Sequence, residues 1–137
     1  MKNRSELREV IMKVIYQIKI LDDAKIDFVL EDLIHDQLEV ENDFVNSCVN
    51  GVLENEKVII SLANKYLKEW KIDRLNKVDQ AILELGIYEL MYTDTPSVVA
   101  INEAIELSKV YSDEAVTKMI NGVLDKVYHE EVKTDEW

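Results

Sequence analysis

Apolar residues recur at intervals of three and four along almost the whole 137-residue chain, and this spacing constrains the fold more than any other feature. The first apolar stripe lies on one face of a helix over about residues 4 to 21, and consists of Leu7, Val10, Ile11, Val14, Ile15, Ile18 and Leu21. Only three glycines and one proline interrupt the chain, too few for the tight turns of a sheet protein. The pattern therefore predicts an all-α protein with about seven helices.

Six further apolar stripes predict the other helices. They cover about residues 26 to 38, 44 to 53, 58 to 70, 78 to 91, 99 to 107 and 116 to 127. Asn42 is a candidate N-cap of the third helix, and Asn76 with Asp79 has a spacing related to the capping box at the start of the fifth. The fifth helix must end before Pro96, because proline cannot continue the hydrogen-bond ladder. Trp70 would be the last inward residue of the fourth helix.

The tetrapeptide NGVL occurs twice, at residues 50–53 and 121–124. At an offset of 71, all six apolar positions of the first NGVL helix fall on apolar positions of the second. An Ile-Tyr pair precedes each copy, and Tyr16 and Tyr88 stand 35 and 34 residues before the glycines. Two amphipathic helices could resemble each other by chance, but two coupled motifs favour a duplication. We expect one domain over residues 1–137, with three-helix units at about 1–55 and 72–130 joined by a helix at 56–71.

Each NGVL places a glycine inside a helix, where glycine costs about 1 kcal/mol relative to alanine. The recurrence of Gly51 and Gly122 predicts that another backbone passes too close for a β-carbon. The asparagines before them, Asn50 and Asn121, are open to two interpretations. Their amides either form hydrogen bonds across a helix junction or remain exposed for a partner.

The net charge of −12 opposes binding to a polyanion, but the positive charges are concentrated in two segments. Residues 1–19 contain five basic and two acidic side chains, and residues 65–77 contain the same numbers. Elsewhere the surface is expected to be acidic.

Few residues suggest catalysis or metal binding. Glu103 with Glu106, and Glu31 with His35, have spacings that could form part of a carboxylate or metal site, but no completing residues stand nearby, and solvated helix faces explain both pairs. The single cysteine, Cys48, is interpreted as a small core residue. We expect no metal, no cofactor and no enzyme activity.

No run of about 18 apolar residues is present, and the first ten residues are charged. The sequence therefore predicts a soluble, cytoplasmic protein without a membrane association.

The segments RSELREVIMKVIYQ, LNKVDQAILELGIYEL, DTPSVVAINEAIELSKVYS and INGVLDKV resemble the NusB family of bacterial transcription antitermination factors. The resemblance covers nearly the whole chain. It implies an all-helical fold of two packed three-helix bundles, RNA binding and no enzyme activity. The implied ligand is a short single-stranded RNA element called boxA. The implied partners are the small-subunit ribosomal protein that acts as NusE and the transcription elongation complex, with read-through in ribosomal RNA operons as the outcome.

The resemblance also implies site residues. In the basic amino-terminal segment, Lys2, Arg4 and Arg8 would bind RNA, although Ser5 and Glu6 replace other members of the family's arginine cluster. Lys118 and Met119 stand where the family has a basic-aromatic pair before NGVL, so Met119 removes a stacking platform. Glu84 stands where arginine is common.

For the ribosomal-protein partner, the resemblance implies Tyr16 and Asp79. The alternatives are a half-buried core tyrosine and a helix-start acid. Because the departures all reduce positive charge or stacking, a second function stays open: a NusB-fold protein-interaction module with weak or lost RNA binding.

Overall fold

Seven α-helices and one short 3₁₀ helix make up the protein in a computed structural model that describes residues 1–132. The α-helices are α1 (Arg4–Asp23), α2 (Leu30–Gln37), α3 (Asp43–Glu54), α4 (Glu56–Tyr66), α5 (Lys77–Tyr92), α6 (Ser97–Tyr111) and α7 (Glu114–Glu131), and the 3₁₀ helix is Ile72–Arg74. No strand occurs within the described residues, so the predicted all-α class is confirmed. None of these helices is both long and apolar enough to cross a membrane.

Helix α5 forms the centre of the molecule. Every residue from Asp79 to Leu90 is buried, because apolar side chains occur on all sides of this helix rather than in one stripe. It contacts α1 and α3 on one side, and α4, α6 and α7 elsewhere on its surface. Both groups of helices complete their cores against α5.

The remaining helices form two groups. Helix α1 packs against α2 and α3, whereas α6 packs against α7, and both of these contact α5. Helix α4 contacts α5 and α7 as well as α3. Helix α5 contacts helices of both predicted units, and the division into three-helix units at about 1–55 and 72–130 stays a prediction.

Buried ion pairs hold α1 antiparallel to α5. Arg8 Nε donates to Glu89 Oε1 at 2.7 Å, and Arg8 Nη2 donates to Glu89 Oε2 at 3.0 Å. Further along, the Lys19 ammonium contacts the fully buried Glu84 carboxylate. Burial raises the pKa of Glu84, although Lys19 opposes this shift. Glu84 is therefore the buried counter-ion of Lys19. Its position lies in the interior, so the acid there does not remove a positive charge from the surface.

The NGVL glycines have different surroundings. At Gly51, a β-carbon would clash with the ring and hydroxyl of Tyr88, so the expected close contact is present, but with a side chain rather than a backbone. At Gly122, nothing lies within 4 Å of the β-carbon position, and the predicted close contact is wrong there. The two copies of NGVL therefore do not share one packing role.

Helix α4 ends at Tyr66, four residues earlier than the apolar pattern predicted. After it, the Asn64 side-chain carbonyl accepts a hydrogen bond from the Ile72 backbone N–H at 2.7 Å, which turns the chain. Leu67 and Ile72 are buried, but Trp70 between them is 54% exposed. The prediction that Trp70 points inward on a helix is wrong.

Helix starts depend on individual side chains. Asn42 caps α3 as predicted, because its side-chain oxygen accepts from Val45 N–H at 3.0 Å. Asn76 makes no capping bond at α5, and a capping box forms instead between Asn3 and Glu6 at the start of α1.

Candidate nucleic-acid interface

A surface groove runs between α7 and the segment that links α4 to α5. We call it the α7 groove; its lining includes Tyr66, Lys68, Trp70, Arg74, Val116, Met119, Gly122 and Lys126. It consists of neighbouring hollows of about 300, 380 and 340 Å³, and consecutive hollows share lining residues. Trp70 and Met119 belong to both the first and the second hollow, so they lie at the middle of the groove.

The middle of the α7 groove has the chemistry of a base-stacking platform. Trp70 offers an exposed indole, and Met119 beside it supplies a flexible, polarizable side chain. Gly122 lines the same hollow without a side chain, which leaves the floor open. The aromatic group that Met119 lacks at its own position is thus supplied to the same hollow by Trp70.

The charged lining of the groove is mixed: each hollow contains at least one cation, and Glu69, Asp79, Asp113, Glu130 and Glu131 lie among them. Lys68, Arg74 and Lys126 all contribute to its walls. Lys118 is exposed on α7, where its ammonium lies 3.7 Å from the Glu114 carboxylate, a weak and solvent-screened pair. Three of the five basic residues of segment 65–77 thus line the α7 groove, whereas Lys77 pairs with Asp23 elsewhere.

One end of the α7 groove already holds an anionic group. Glu131 Oε2 accepts from Lys65 Nζ at 2.7 Å and also from the Tyr66 hydroxyl. The bond from Lys65, followed by that from Tyr66, lowers the pKa of Glu131, and the pKa values of Lys65 and Tyr66 are raised in turn. An ammonium and a hydroxyl can thus bind an oxyanion at this end.

The predicted RNA-binding residues of the amino terminus divide into two kinds. Lys2 and Arg4 are exposed, and the Arg4 guanidinium lies 4.0 Å from the centre of the Phe44 ring. Arg8 is only 4% exposed, and besides Glu89 it approaches Glu103 at 3.5 Å. Its guanidinium is directed into the protein, where two carboxylates occupy it.

The structure does not bring the amino-terminal cations next to Lys118 and Met119. Arg8 contacts Glu89 near the end of α5, whereas the hollow at Met119 is also lined by Asp79 at the start of α5. Ten residues of helix separate these points by about 15 Å along the axis. Lys2 and Arg4 are not among the residues that line the α7 groove, and their role in RNA binding stays a prediction.

The two residues predicted to bind a protein partner also differ in exposure. Tyr16 is partly exposed and shares a helix face with the exposed Ile20. Asp79 is buried and accepts a hydrogen bond from the Ser112 hydroxyl, and burial raises the pKa of its carboxyl. Asp79 joins the start of α5 to the turn between α6 and α7.

The carboxylates considered for other chemistry have structural neighbours. Glu103 accepts from the Ser5 hydroxyl at 2.6 Å and lies near Arg8, while Glu106 pairs with Lys109 on the surface. Within residues 1–132, no three His, Cys, Asp or Glu side chains are grouped as a metal site would require. Asn50 donates to the Asn46 backbone carbonyl of its own helix, so it does not bridge a junction.

Comparison with known proteins agrees with this architecture. Residues 5–129 match the NusB family. Proteins named transcription antitermination protein NusB are similar over most of the chain. The one from Listeria innocua is 38% identical, covering 93% of this chain and 98% of that protein, and the one from Acetivibrio thermocellus is 43% identical, covering 90% and 87%.

Solved structures share the fold. NusB from T. maritima superposes with a TM-score of 0.83 at 31% identity, covering 96% of this chain and 94% of that chain. A structure described as antitermination factors NusB and NusE in complex with dsRNA superposes with a TM-score of 0.79 at 24% identity, covering 92% and 96%.

Proposed function

This chain belongs to the NusB family, and from that premise we propose that it is a transcription antitermination factor that binds single-stranded RNA in the α7 groove. The observation that carries the proposal is the exposed Trp70 indole in a groove lined by Lys68, Arg74 and Lys126. Unpaired bases stack on aromatic side chains, and lysine or arginine neutralises the phosphates between them. The role is one of binding and not of catalysis.

The proposed RNA is a boxA-like element, and the proposed outcome is read-through in ribosomal RNA operons by a cytoplasmic elongation complex. This follows the family resemblance, and the curated relatives carry the name of antitermination proteins. The proposed partner is the small-subunit ribosomal protein that acts as NusE. A NusB protein of the same fold has been solved with NusE and dsRNA, which supports the choice of protein partner.

The groove residues have separate roles in this proposal. Trp70 stacks on a base, Met119 packs beside it, and the open space over Gly122 admits the ribose and backbone. Lys65 and Tyr66, which donate hydrogen bonds to Glu131, would donate them to a phosphate oxygen of the RNA instead.

The amino terminus adds a second set of RNA contacts. Lys2 and Arg4 are exposed and extend the binding surface beyond the groove. Arg8 acts indirectly, because its ion pair with Glu89 fixes the first turns of α1 on α5.

The ribosomal-protein partner is proposed to bind α1 through Tyr16 and its exposed neighbour Ile20. Asp79 contributes through Ser112, whose hydroxyl it holds at the α6–α7 turn.

Titration of a boxA-like RNA at several salt concentrations, with and without the ribosomal protein, tests the proposal. Replacing Lys68 and Lys126 with alanine should weaken binding and reduce the salt slope by about two. Replacing Lys57 and Lys109, which are exposed outside the groove, is the matched control and should leave the slope unchanged. If no RNA binds in either condition at low salt, the interaction-module alternative replaces this proposal.

A further inference from the structure

One long segment of the chain carries only negative formal charge. Residues 26–56 contain nine Asp or Glu side chains, one histidine, and no lysine or arginine. All of these acids except Glu56 are exposed. The segment includes α2 and α3, so this part of the surface carries acidic side chains without basic ones of its own, whereas the α7 groove contains both.

Helix α2 is incompletely covered by the rest of the protein. It is the only one of the seven α-helices without a buried residue, although it carries the apolar side chains Leu30, Leu33 and Ile34. Its main packing partner is α1. Next to it, Val29 and Val40 are also exposed, with Val40 at 77%.

Some of the apolar side chains in and around α2 line a groove between α2 and α3. Its volume is about 180 Å³; its apolar residues are Leu30, Ile34, Leu38 and Val40, and its polar residues are Glu31, His35, Glu41, Asn46 and Asn50. We call it the α2–α3 groove. The partly buried Leu30, Ile34 and Leu38 form its floor, Val40 is exposed, and the lining also includes the exposed acids Glu31 and Glu41.

From this arrangement we propose that the α2–α3 groove docks a basic amphipathic segment of a protein partner, with apolar side chains on the floor and lysine or arginine against the acidic surroundings. The charge selects this occupant over two others. RNA would bring phosphates to a groove whose lining includes Glu31 and Glu41 and no lysine or arginine. A second copy of this chain, docked through the same face, would set carboxylates against carboxylates.

The α2–α3 groove is separate from the α7 groove and from Tyr16. None of the residues that line the α2–α3 groove lines the α7 groove. Tyr16 lies on an exposed face of α1, outside both linings. An RNA in the α7 groove and a basic protein segment in the α2–α3 groove can therefore be bound at the same time.

The probe for this proposal is a synthetic helical peptide of about 18 residues, with leucine at three- and four-residue spacing and lysine elsewhere. Chemical-shift mapping on the full chain should place it at residues 26–50. A peptide with glutamate for lysine should not bind, and neither should a lysine-serine peptide that lacks leucine.

Glu31→Lys with Glu41→Lys should weaken binding of the peptide by at least about tenfold, because each substitution removes an attractive charge and adds a repulsive one. Val40→Ser should also weaken it. The matched control is Glu106→Lys with Glu114→Lys, two exposed sites outside the groove that change the net charge equally and should have less than about a threefold effect.

Three results would overturn the proposal: shifts located elsewhere on the protein, equal weakening by both charge-reversed pairs, or equal binding of the lysine-serine peptide. Binding of a boxA-like RNA or of a second protein molecule at residues 26–50 would do the same. A Tyr16→Asp variant separates this site from the ribosomal-protein surface, because it should bind the peptide as the wild type does.

Discussion

At the scale of single residues, the two NGVL motifs show how one sequence feature acquires two environments. Gly51 lies under the ring of Tyr88, which is itself buried and stacked on Tyr92 at 5.7 Å between ring centres. Gly122 is exposed on α7. The two tetrapeptides are identical, but only the second has room for a side chain at its glycine.

Alanine substitutions should therefore have opposite effects at the two sites. Gly51→Ala should lower the free energy of unfolding by about 1–3 kcal/mol, because the added methyl group must displace the Tyr88 ring. Gly122→Ala should be neutral or raise it by up to about 1 kcal/mol through helix propensity. Urea denaturation measures both, and a similar loss at the two positions would contradict the difference in packing.

Trp70 should provide the largest single-residue contribution to RNA binding. Trp70→Ala should weaken binding of a boxA-like RNA by about 1–3 kcal/mol, the contribution of one stacked base. Tyr92→Ala removes an exposed aromatic side chain outside the groove and should leave binding unchanged. Met119→Tyr should tighten binding by adding a second platform. Fluorescence titration gives the dissociation constants, and equal effects of the Trp70 and Tyr92 variants would rule out stacking at Trp70.

Sequence reasoning could not place Trp70 because it stands at an apolar position in register with a predicted helix. The helix ends early through a long-range detail, the bond from Ile72 N–H to the Asn64 side chain, which periodicity does not reveal. A usable signal was present nonetheless. An aromatic residue flanked by Lys68 and Lys71 is more consistent with an exposed binding side chain than with a core position.

At the scale of elements, buried ion pairs make the α1–α5 contact selective for one register. Arg8→Met should destabilise the protein by about 3–5 kcal/mol, because it leaves the Glu89 carboxylate buried without a counter-ion. Adding Glu89→Leu should recover most of that loss. Chemical denaturation compares the variants, and a single variant as stable as the wild type would show that the pair is not important for packing.

The same double variant clarifies how Arg8 contributes to RNA binding. If Arg8 only positions α1, the Arg8→Met, Glu89→Leu double variant should bind RNA with the affinity and the salt slope of the wild type. Arg4→Ala should lower the slope by about one. A lowered slope in the double variant would mean that Arg8 contacts RNA itself.

Glu84 should give the α1–α5 contact a dependence on pH. Because burial raises its pKa in the folded protein, the folded state holds the proton more tightly than the unfolded chain does. Its contribution to stability is therefore complete below the unfolded pKa of about 4.3 and is lost as pH rises through the folded pKa.

Glu84→Gln cannot lose this proton, so the stability difference between wild type and variant should move in the variant's favour as pH rises from about 4 to 8. Urea titrations at several pH values measure that difference. A constant difference across the range would show that Glu84 ionises alike in both states.

At the scale of the whole molecule, the separation of charge explains how an acidic protein can bind RNA. The α7 groove contains Lys65, Lys68, Arg74 and Lys126 beside acidic side chains, whereas residues 26–56 contain nine acids and no lysine or arginine. The Debye length is about 8 Å at about 0.15 M salt, so charges on a distant face are largely screened. The net charge of −12 is thus a poor guide to what any one face can bind.

Neutralising some of the acidic side chains of residues 26–56 should consequently have little effect on the affinity for RNA. Glu31→Gln, Asp32→Asn and Asp36→Asn together should change the dissociation constant by less than about threefold at about 0.15 M salt. The paired Lys68 and Lys126 substitution, with a smaller change in net charge, should have a larger effect. If the triple variant has the larger effect, the whole-molecule charge controls RNA binding.

The global architecture was more accessible from sequence than the site. Apolar spacing predicts the helices, and the repeated NGVL motif points to two helical groups because both depend on local patterns. The burial of Arg8 and Asp79 depends instead on which residues of distant helices meet them, namely Glu89 and Ser112. Residue type alone does not distinguish the exposed charged side chains of a segment from the buried ones.

Cys48 has a practical consequence for experiments on this protein. It is the only cysteine in the chain, it is buried, and burial raises the pKa of its thiol to about 12. Because the thiolate is the nucleophile, maleimides should leave it unmodified in the folded state. A fluorophore or photo-crosslinker can therefore be attached to a cysteine introduced at an exposed position without first deleting the native one.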